Sequence, residues 1–270
     1  MIRDITLGQY YQTDSIIHKL DPRVKISATL LYIISLFIFN NILGYVVAVV
    51  FLAIVIKLSR VPFKYMVKGM KAIVFLLLLT VGFQLFLTPG EVLITFWKLK
   101  ITKEGIRTAF FMACRLAFLI IGSSIMTLTT TPNNLTDGME KMLHPLKKIK
   151  VPVHEISMMM SIALRFIPIL LEETDKIMKA QIARCADFET GNLIQKAKAL
   201  VPLLVPLFIS AFRRANDLAM AMEARCYRGG DGRTKMKPLI YQRRDYFAYA
   251  ILAVYMAVGV AVEVVWRIVL

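Results

Sequence analysis

Ala183-Arg184-Cys185 and Ala224-Arg225-Cys226 are the same tripeptide, forty-one residues apart. Each copy closes a long stretch in which charged and apolar residues recur at helical spacing. Working back from the two copies, the spacing predicts one helix over residues 153–188 and another over 193–227. Helices of some thirty-five residues are about 50 Å long at 1.5 Å rise per residue. They are antiparallel neighbours or cross each other. Each has an apolar first half and a charged second half, and Pro168 and Pro206 are predicted kinks where one half gives way to the other. Gly191 and the run Gly229-Gly230-Asp231-Gly232 are the predicted stops.

Outside these helices the chain is membrane-like. Of its 270 residues 57% are hydrophobic, above the 45–50% usual for soluble domains. Apolar runs predict spans at 26–39, 42–56, 72–87, 108–128 and 246–265. The run 200–212 is short, contains Pro202 and Pro206, and leads into Arg213-Arg214, so it reads as a buried or interfacial helix. A short helix over 135–143 follows Thr131-Pro132-Asn133. The expected organisation is spans one to four over 1–130, a cytoplasmic or interfacial region over 131–244, and a last span over 245–270. The whole is an all-α integral membrane protein of about five transmembrane helices plus two long cytoplasmic helices. The polar opening segment has no cleavable signal, so the first span serves as the insertion signal.

Orientation follows from basic residues in short loops. Arg3, Lys19, Arg23 and Lys25 precede the first span, and Lys57, Arg60, Lys64, Lys68 and Lys71 link the second to the third. Both groups belong in the cytoplasm, while the uncharged Asn40-Asn41 turn faces out. The loop with Lys98, Lys100, Lys103 and Arg107 falls on the outer side against this rule. Residues 130–245, with nineteen Lys+Arg against twelve Asp+Glu, outweigh it. The expected arrangement is a multi-pass cell-membrane protein with a cytoplasmic N-terminus.

Chemistry is sparse. His18, His144 and His154 have no metal-ligand spacing, and no nucleotide-binding glycine loop is present. Glu172-Glu173 lies on a face polar throughout and reads as solvated surface, not an acid pair. Neither a metal nor a cofactor is expected. Cys114 reads as a packing residue, and three cysteines without a CxxC argue against a disulfide framework. The excess charge, 34 Lys+Arg against 18 Asp+Glu, attracts anionic lipid or an acidic protein face. No zinc spacing or aromatic signature points to nucleic acid. Arg115, inside a predicted span, is expected to snorkel or to meet a buried carbonyl, and Glu263 and Arg267 can pair at i,i+4. Apart from Arg115 and Gln84 the spans hold almost nothing to line a polar path, which disfavours a channel or secondary transporter. A membrane enzyme would need a convergent acid, base or metal set, and none is visible.

One arginine near a helix C-terminus complements the helix dipole. Two copies, each after a proline and an apolar stretch, suggest docking tips. Small Ala183 and Ala224 admit a partner's backbone, and Arg184 and Arg225 offer a planar fork of donors. The apolar halves of both helices, including the run 200–212 with Leu203, Pro206 and Leu207 and the adaptable Met158-Met159-Met160 cluster, would form an apolar platform.

Asp14-Ser15 with His18-Lys19-Leu20-Asp21-Pro22-Arg23-Val24-Lys25 resembles the opening of the transmembrane (T) components of energy-coupling factor transporters, the EcfT/CbiQ family. So do Ala163-Leu164-Arg165-Phe166-Ile167-Pro168, Ala180-Gln181-Ile182-Ala183-Arg184, Pro202-Leu203-Leu204-Val205-Pro206-Leu207, and Arg213-Arg214-Ala215-Asn216-Asp217 running on to Ala221-Met222-Glu223-Ala224-Arg225. The resemblance implies the scaffold of an ABC importer for vitamins or metal ions. It would join two cytoplasmic ATPase subunits, EcfA and its paralogue, to a substrate-binding S component. The two long helices would be coupling helices, each ending in an Ala-Arg-Gly signature that docks into one ATPase. Arg184 and Arg225 match the signature arginines. Cys185 and Cys226 stand where the signature has glycine. Cysteine is small enough for close approach, but its Cβ disfavours a left-handed termination there.

Overall fold

The computed structural model describes residues 10–39, 41–71, 73–96, 99–186, 188, 192–230, 236 and 238–269. Arg3, Asn40, Lys98, Gly191 and Asp231-Gly232 lie outside them. The described elements are α1 (Pro22–Ile38), α2 (Ile42–Ser59), α3 (Phe63–Lys71), α4 (Val74–Leu87), β1 (Val92–Phe96), β2 (Leu99–Thr102), α5 (Lys103–Thr129), α6 (Pro132–Leu143), a 3₁₀ turn (His144–Ile149), α7 (Val153–Ala183), α8 (Leu193–Ala224) and α9 (Arg243–Val269). The architecture is that of an all-α membrane protein with one small antiparallel hairpin, β1–β2, between α4 and α5.

Two compact units divide the chain. One holds residues 8–141 and 239–270, the other 142–238. In the first, local chemistry fixes the helix ends. Asp21 caps α1 by accepting from the Arg23 N–H at 2.9 Å, with Pro22 at the first helical position. Thr102 Oγ1 accepts from Gly105 N at 3.0 Å and donates to the Thr88 carbonyl at 2.9 Å, which starts α5 against the end of α4. Long-range bonds then set directions. Lys25 Nζ donates to the Thr129 carbonyl at 2.9 Å, and Asp21 N donates to Asp245 at 2.9 Å. The start of α1 therefore meets the end of α5 and the start of α9. At the opposite end Asn41 Nδ2 donates to Glu263 at 3.0 Å, so the turn after α1 meets the end of α9. The helices alternate in direction as a chain threading back and forth through a bilayer requires.

The core of this unit is aromatic, and glycines make room for it. Phe39 is fully buried, and a Cβ built on Gly259 would stand 2.1 Å from its ring. Phe51 stacks on Tyr255 at 4.2 Å, and the buried Tyr255 hydroxyl bonds Ser35 Oγ at 2.6 Å. Small residues at helix contacts are the usual means of close approach in lipid, where helix association rests on packing and interhelical hydrogen bonds.

Length and hydropathy alone do not separate the expected spans from the two arms. By length and composition, five helices qualify to cross a bilayer: α2, α5, α7, α9 and α8 from Lys198. Two of these, α7 and α8, are the helices that sequence places in the cytoplasm. Two expected spans, α1 and α4, have only 17 and 14 residues. The apolar first halves of α7 and α8 supply enough hydropathy to qualify. Arg115 meets two aromatic groups inside the bundle. Its Nε donates to the Tyr45 hydroxyl at 3.0 Å and its guanidinium lies 5.4 Å from the Phe37 ring. Glu263 accepts from Asn41, while the Arg267 side chain is outside the described residues.

Candidate functional site

The repeated tripeptide sits at the C-terminus of both α7 and α8, and both helices stop there. The first ends at Ala183, short of the expected 188, and the second at Ala224, short of 227. Each stop coincides with a left-handed turn at the cysteine. Cys185 has φ 65° and Cys226 φ 56°, both left-handed. The left-handed termination that a cysteine Cβ disfavours is nevertheless adopted at both positions, and the hydrogen bonds show how it is held. Cys185 N donates to the Ile182 carbonyl at 2.9 Å and Ala186 N to Gln181 at 3.0 Å. In the second copy Cys226 N donates to Glu223 at 2.8 Å and Tyr227 N to Met222 at 3.1 Å. This paired pattern is a Schellman cap, whose left-handed position glycine usually fills.

Both arginines occupy the residue before that position and have nearly the same backbone, φ −91° and ψ 15° at Arg184, φ −93° and ψ 12° at Arg225. The side chains of Ala183, Arg184, Cys185, Ala224, Arg225 and Cys226 are all exposed. The structure therefore brings the sequence-predicted residues of each tip into one geometry, made twice. Capped carbonyls and an exposed cation suit each tip to a partner that offers acceptors.

The arms run antiparallel. Gln181 Nε2 reaches the Pro202 carbonyl at 3.4 Å, and Glu173 accepts from Ser210 Oγ at 2.8 Å and from Arg214. Farther along, Gly230 lies so close to His154 that an added Cβ would fall 2.3 Å from the ring, which leaves the end of the second arm beside the start of the first. The tips thus point to opposite ends of the pair. From Pro202 to Ala224 is roughly 30 Å of helix. Both helices run unbroken through Pro168, Pro202 and Pro206. Pro206 has no N–H for the carbonyl of Pro202 four residues back, and Gln181 of the other arm donates to it instead.

The platform residues are not all presented. Met159 is 57% exposed and Met158 half-buried; Pro206 is exposed and Leu207 half-buried. Leu203 is 4% exposed, so its side chain is not offered to a partner. The exposed apolar stripe on α8 is instead Val201, Leu204, Val205, Phe208, Ile209 and Phe212. All six lie in the run 200–212 that sequence assigns to the platform, and their spacing of three and four residues marks the one helix face that is presented. Among the described residues no group of three His, Cys, Asp or Glu side chains is placed to hold a metal ion.

Comparison with known proteins accords with this geometry. Residues 13–236 match the family model described as cobalt transport protein, CbiQ. The energy-coupling factor transporter transmembrane protein EcfT of Clostridium kluyveri is 59% identical over 268 residues, covering 98% of this chain and 99% of the relative. The protein of the same name from Ruminiclostridium cellulolyticum is 52% identical over 266 residues, with 98% and 100% covered. That of Bacillus subtilis is 46% identical over 246 residues, with 91% and 93% covered.

Proposed function

The chain belongs to the CbiQ family of cobalt transport proteins, and from that premise we propose that it is the energy-coupling transmembrane component of an ECF-type importer. It carries no reaction of its own. Two ABC ATPase subunits, EcfA and its paralogue, dock at the tips, and a substrate-binding S component for a vitamin or metal ion rests against the apolar faces of the arms. Residues 1–130 and 245–270 anchor the protein in the cell membrane with the N-terminus in the cytoplasm. Residues 131–244 form the coupling region.

The observation that carries this reading is the duplicated cap. Two exposed arginines in one backbone geometry, at opposite ends of a braced antiparallel pair, suit two equivalent receptors. Movement of those receptors relative to each other would be passed along rigid helices. Truncating one partner of a buried, hydrogen-bonded charge contact costs about 2–5 kcal/mol. The double variant Arg184→Ala/Arg225→Ala should therefore lose copurifying ATPases and substrate uptake while still inserting in the membrane. Wild-type uptake from that variant would reject the docking assignment. A self-contained secondary transporter or channel is the alternative, and uptake by the purified chain without ATPases would favour it.

A further inference from the structure

The basic loop that runs against the orientation rule has a structural counterpart. At the end of the bundle where α5 begins there is a cleft of about 470 Å³. Two cations, Lys103 and Arg107, stand on its wall beside the apolar Ile42, Phe110, Phe111 and Trp266. Lys103 and Arg107 are four residues apart, as are Ile106 and Phe110, so a pair of cations and a pair of apolar groups run side by side along one stripe of α5. Phe110 is 60% exposed and Ile42 58% exposed, and both face outward from the bundle.

Nothing intrinsic favours this placement of charge. Like charges at i,i+4 repel. Both lie in the first turns of a 27-residue helix, at the positive end of its dipole. Among the described residues no carboxylate pairs with either cation. Glu104 is engaged by the Glu91 N–H at 2.8 Å, and Glu263 by Asn41 at 3.0 Å. The one compensation is weak: the Arg107 guanidinium lies 5.8 Å from the Phe111 ring. Three sources of positive potential thus converge on a cleft whose walls are otherwise aromatic and aliphatic except for the Asn41 amide, which is engaged by Glu263. Trp266, on the last helix, is of the type that settles at the headgroup level of a bilayer.

We propose that this cleft binds one anionic phospholipid, its phosphate between Lys103 and Arg107 and its acyl chain along Phe110, Phe111 and Ile42. A soluble phosphate would meet the cations but gain nothing from the apolar wall, so the lipid is the occupant the surface fits. In the orientation proposed above, the lipid belongs to the outer leaflet. There its charge explains why basic residues are retained on the side that the positive-inside rule leaves poor in them. The binding itself does not depend on the docking reading.

The chain has two tryptophans. A Trp97→Phe variant of the full chain leaves Trp266, beside the cleft, as the sole reporter. Reconstituted in vesicles, its fluorescence is quenched by brominated phosphatidylglycerol or by brominated phosphatidylcholine. Two cations at an anionic headgroup predict a roughly tenfold preference for phosphatidylglycerol at Trp266. Lys103→Gln/Arg107→Gln in the same background should bring the ratio close to one, and soluble glycerol phosphate at millimolar concentration should leave the wild-type ratio unchanged. Equal quenching by both lipids in the background protein overturns the proposal even if the double variant does not fold. Competition by glycerol phosphate would make the site one for free anion and also overturn it.

Discussion

At the scale of single residues, the two cysteines decide where the arms end. Each holds a left-handed backbone that costs a side-chain-bearing residue about 1–2 kcal/mol, and each is kept there by two cap hydrogen bonds. Replacing both with glycine should therefore strengthen the caps, by about 1 kcal/mol each at a compatible site. Slower amide hydrogen exchange at Cys185, Ala186, Cys226 and Tyr227 in the double glycine variant is the expected reading. Faster exchange would show that the thiols hold the caps by contacts of their own. His18 supplies a second residue-scale prediction. Burial holds its imidazole below the ordinary histidine value, against the opposing pull of the Tyr11 carbonyl and with the help of the Lys25 charge. Nε2 donates to Tyr11 O at 2.9 Å, so Nδ1, 2.6 Å from Ser15 Oγ, accepts. The folded state binds fewer protons here than the unfolded state, so stability rises with pH and this contribution is lost as pH falls below about 6.5. Proteolysis of the N-terminal arm should accelerate between pH 7.5 and 5.5, and a His18→Gln variant should lose that dependence. Equal protection at both pH values would sink the idea.

Among the elements, packing in the first unit depends on close approach. Gly259 on α9 faces the Phe39 ring at a distance no Cβ tolerates. Gly259→Ala should push that ring aside and destabilise the contact of α1 with α9 by about 1–3 kcal/mol, as overpacked cores do. Thermal unfolding in detergent measures this, with partial recovery expected when Phe39 is shortened to Leu. An unchanged midpoint would mean that α9 shifts freely. The elements also show what a linear reading can carry. The apolar helices were legible because long apolar runs announce themselves, and the arms because the tripeptide repeats. The hairpin before α5 was not, since its strands of five and four residues are too short to display a period. Nor was the contact of Arg115 with Tyr45, because Tyr45 lies seventy residues away and only folding brings the two together. Leu203 was misjudged for a related reason: a motif says which residues matter, whereas the helix phase says which way they face.

For the whole molecule, the two tips act at a distance from each other. Arg184 and Arg225 do not touch the same brace, so single variants should be separable. Arg184→Ala should weaken one ATPase contact and Arg225→Ala the other, each leaving a partial complex. Quantitative mass spectrometry of the copurified subunits distinguishes this from an all-or-none loss, and identical depletion of both ATPases by each single variant would contradict independent tips. Sequence left open whether the arms are antiparallel neighbours or cross, because the contacts that align them, at Gln181, Glu173 and His154, do not mark themselves.

The antiparallel brace has a consequence for symmetry. Two helices of opposite direction, carrying the same cap at each C-terminus, are related by an approximate twofold axis perpendicular to the pair. A partner that engages both tips in the same way must share that axis. What distinguishes one end from the other is the chain just beyond each cap, Ala186 after the first and Tyr227-Arg228 after the second. If the protein selects which subunit binds which arm, the selection is written in those few residues, and exchanging them would reverse the order in which two unlike subunits sit on a near-symmetric scaffold.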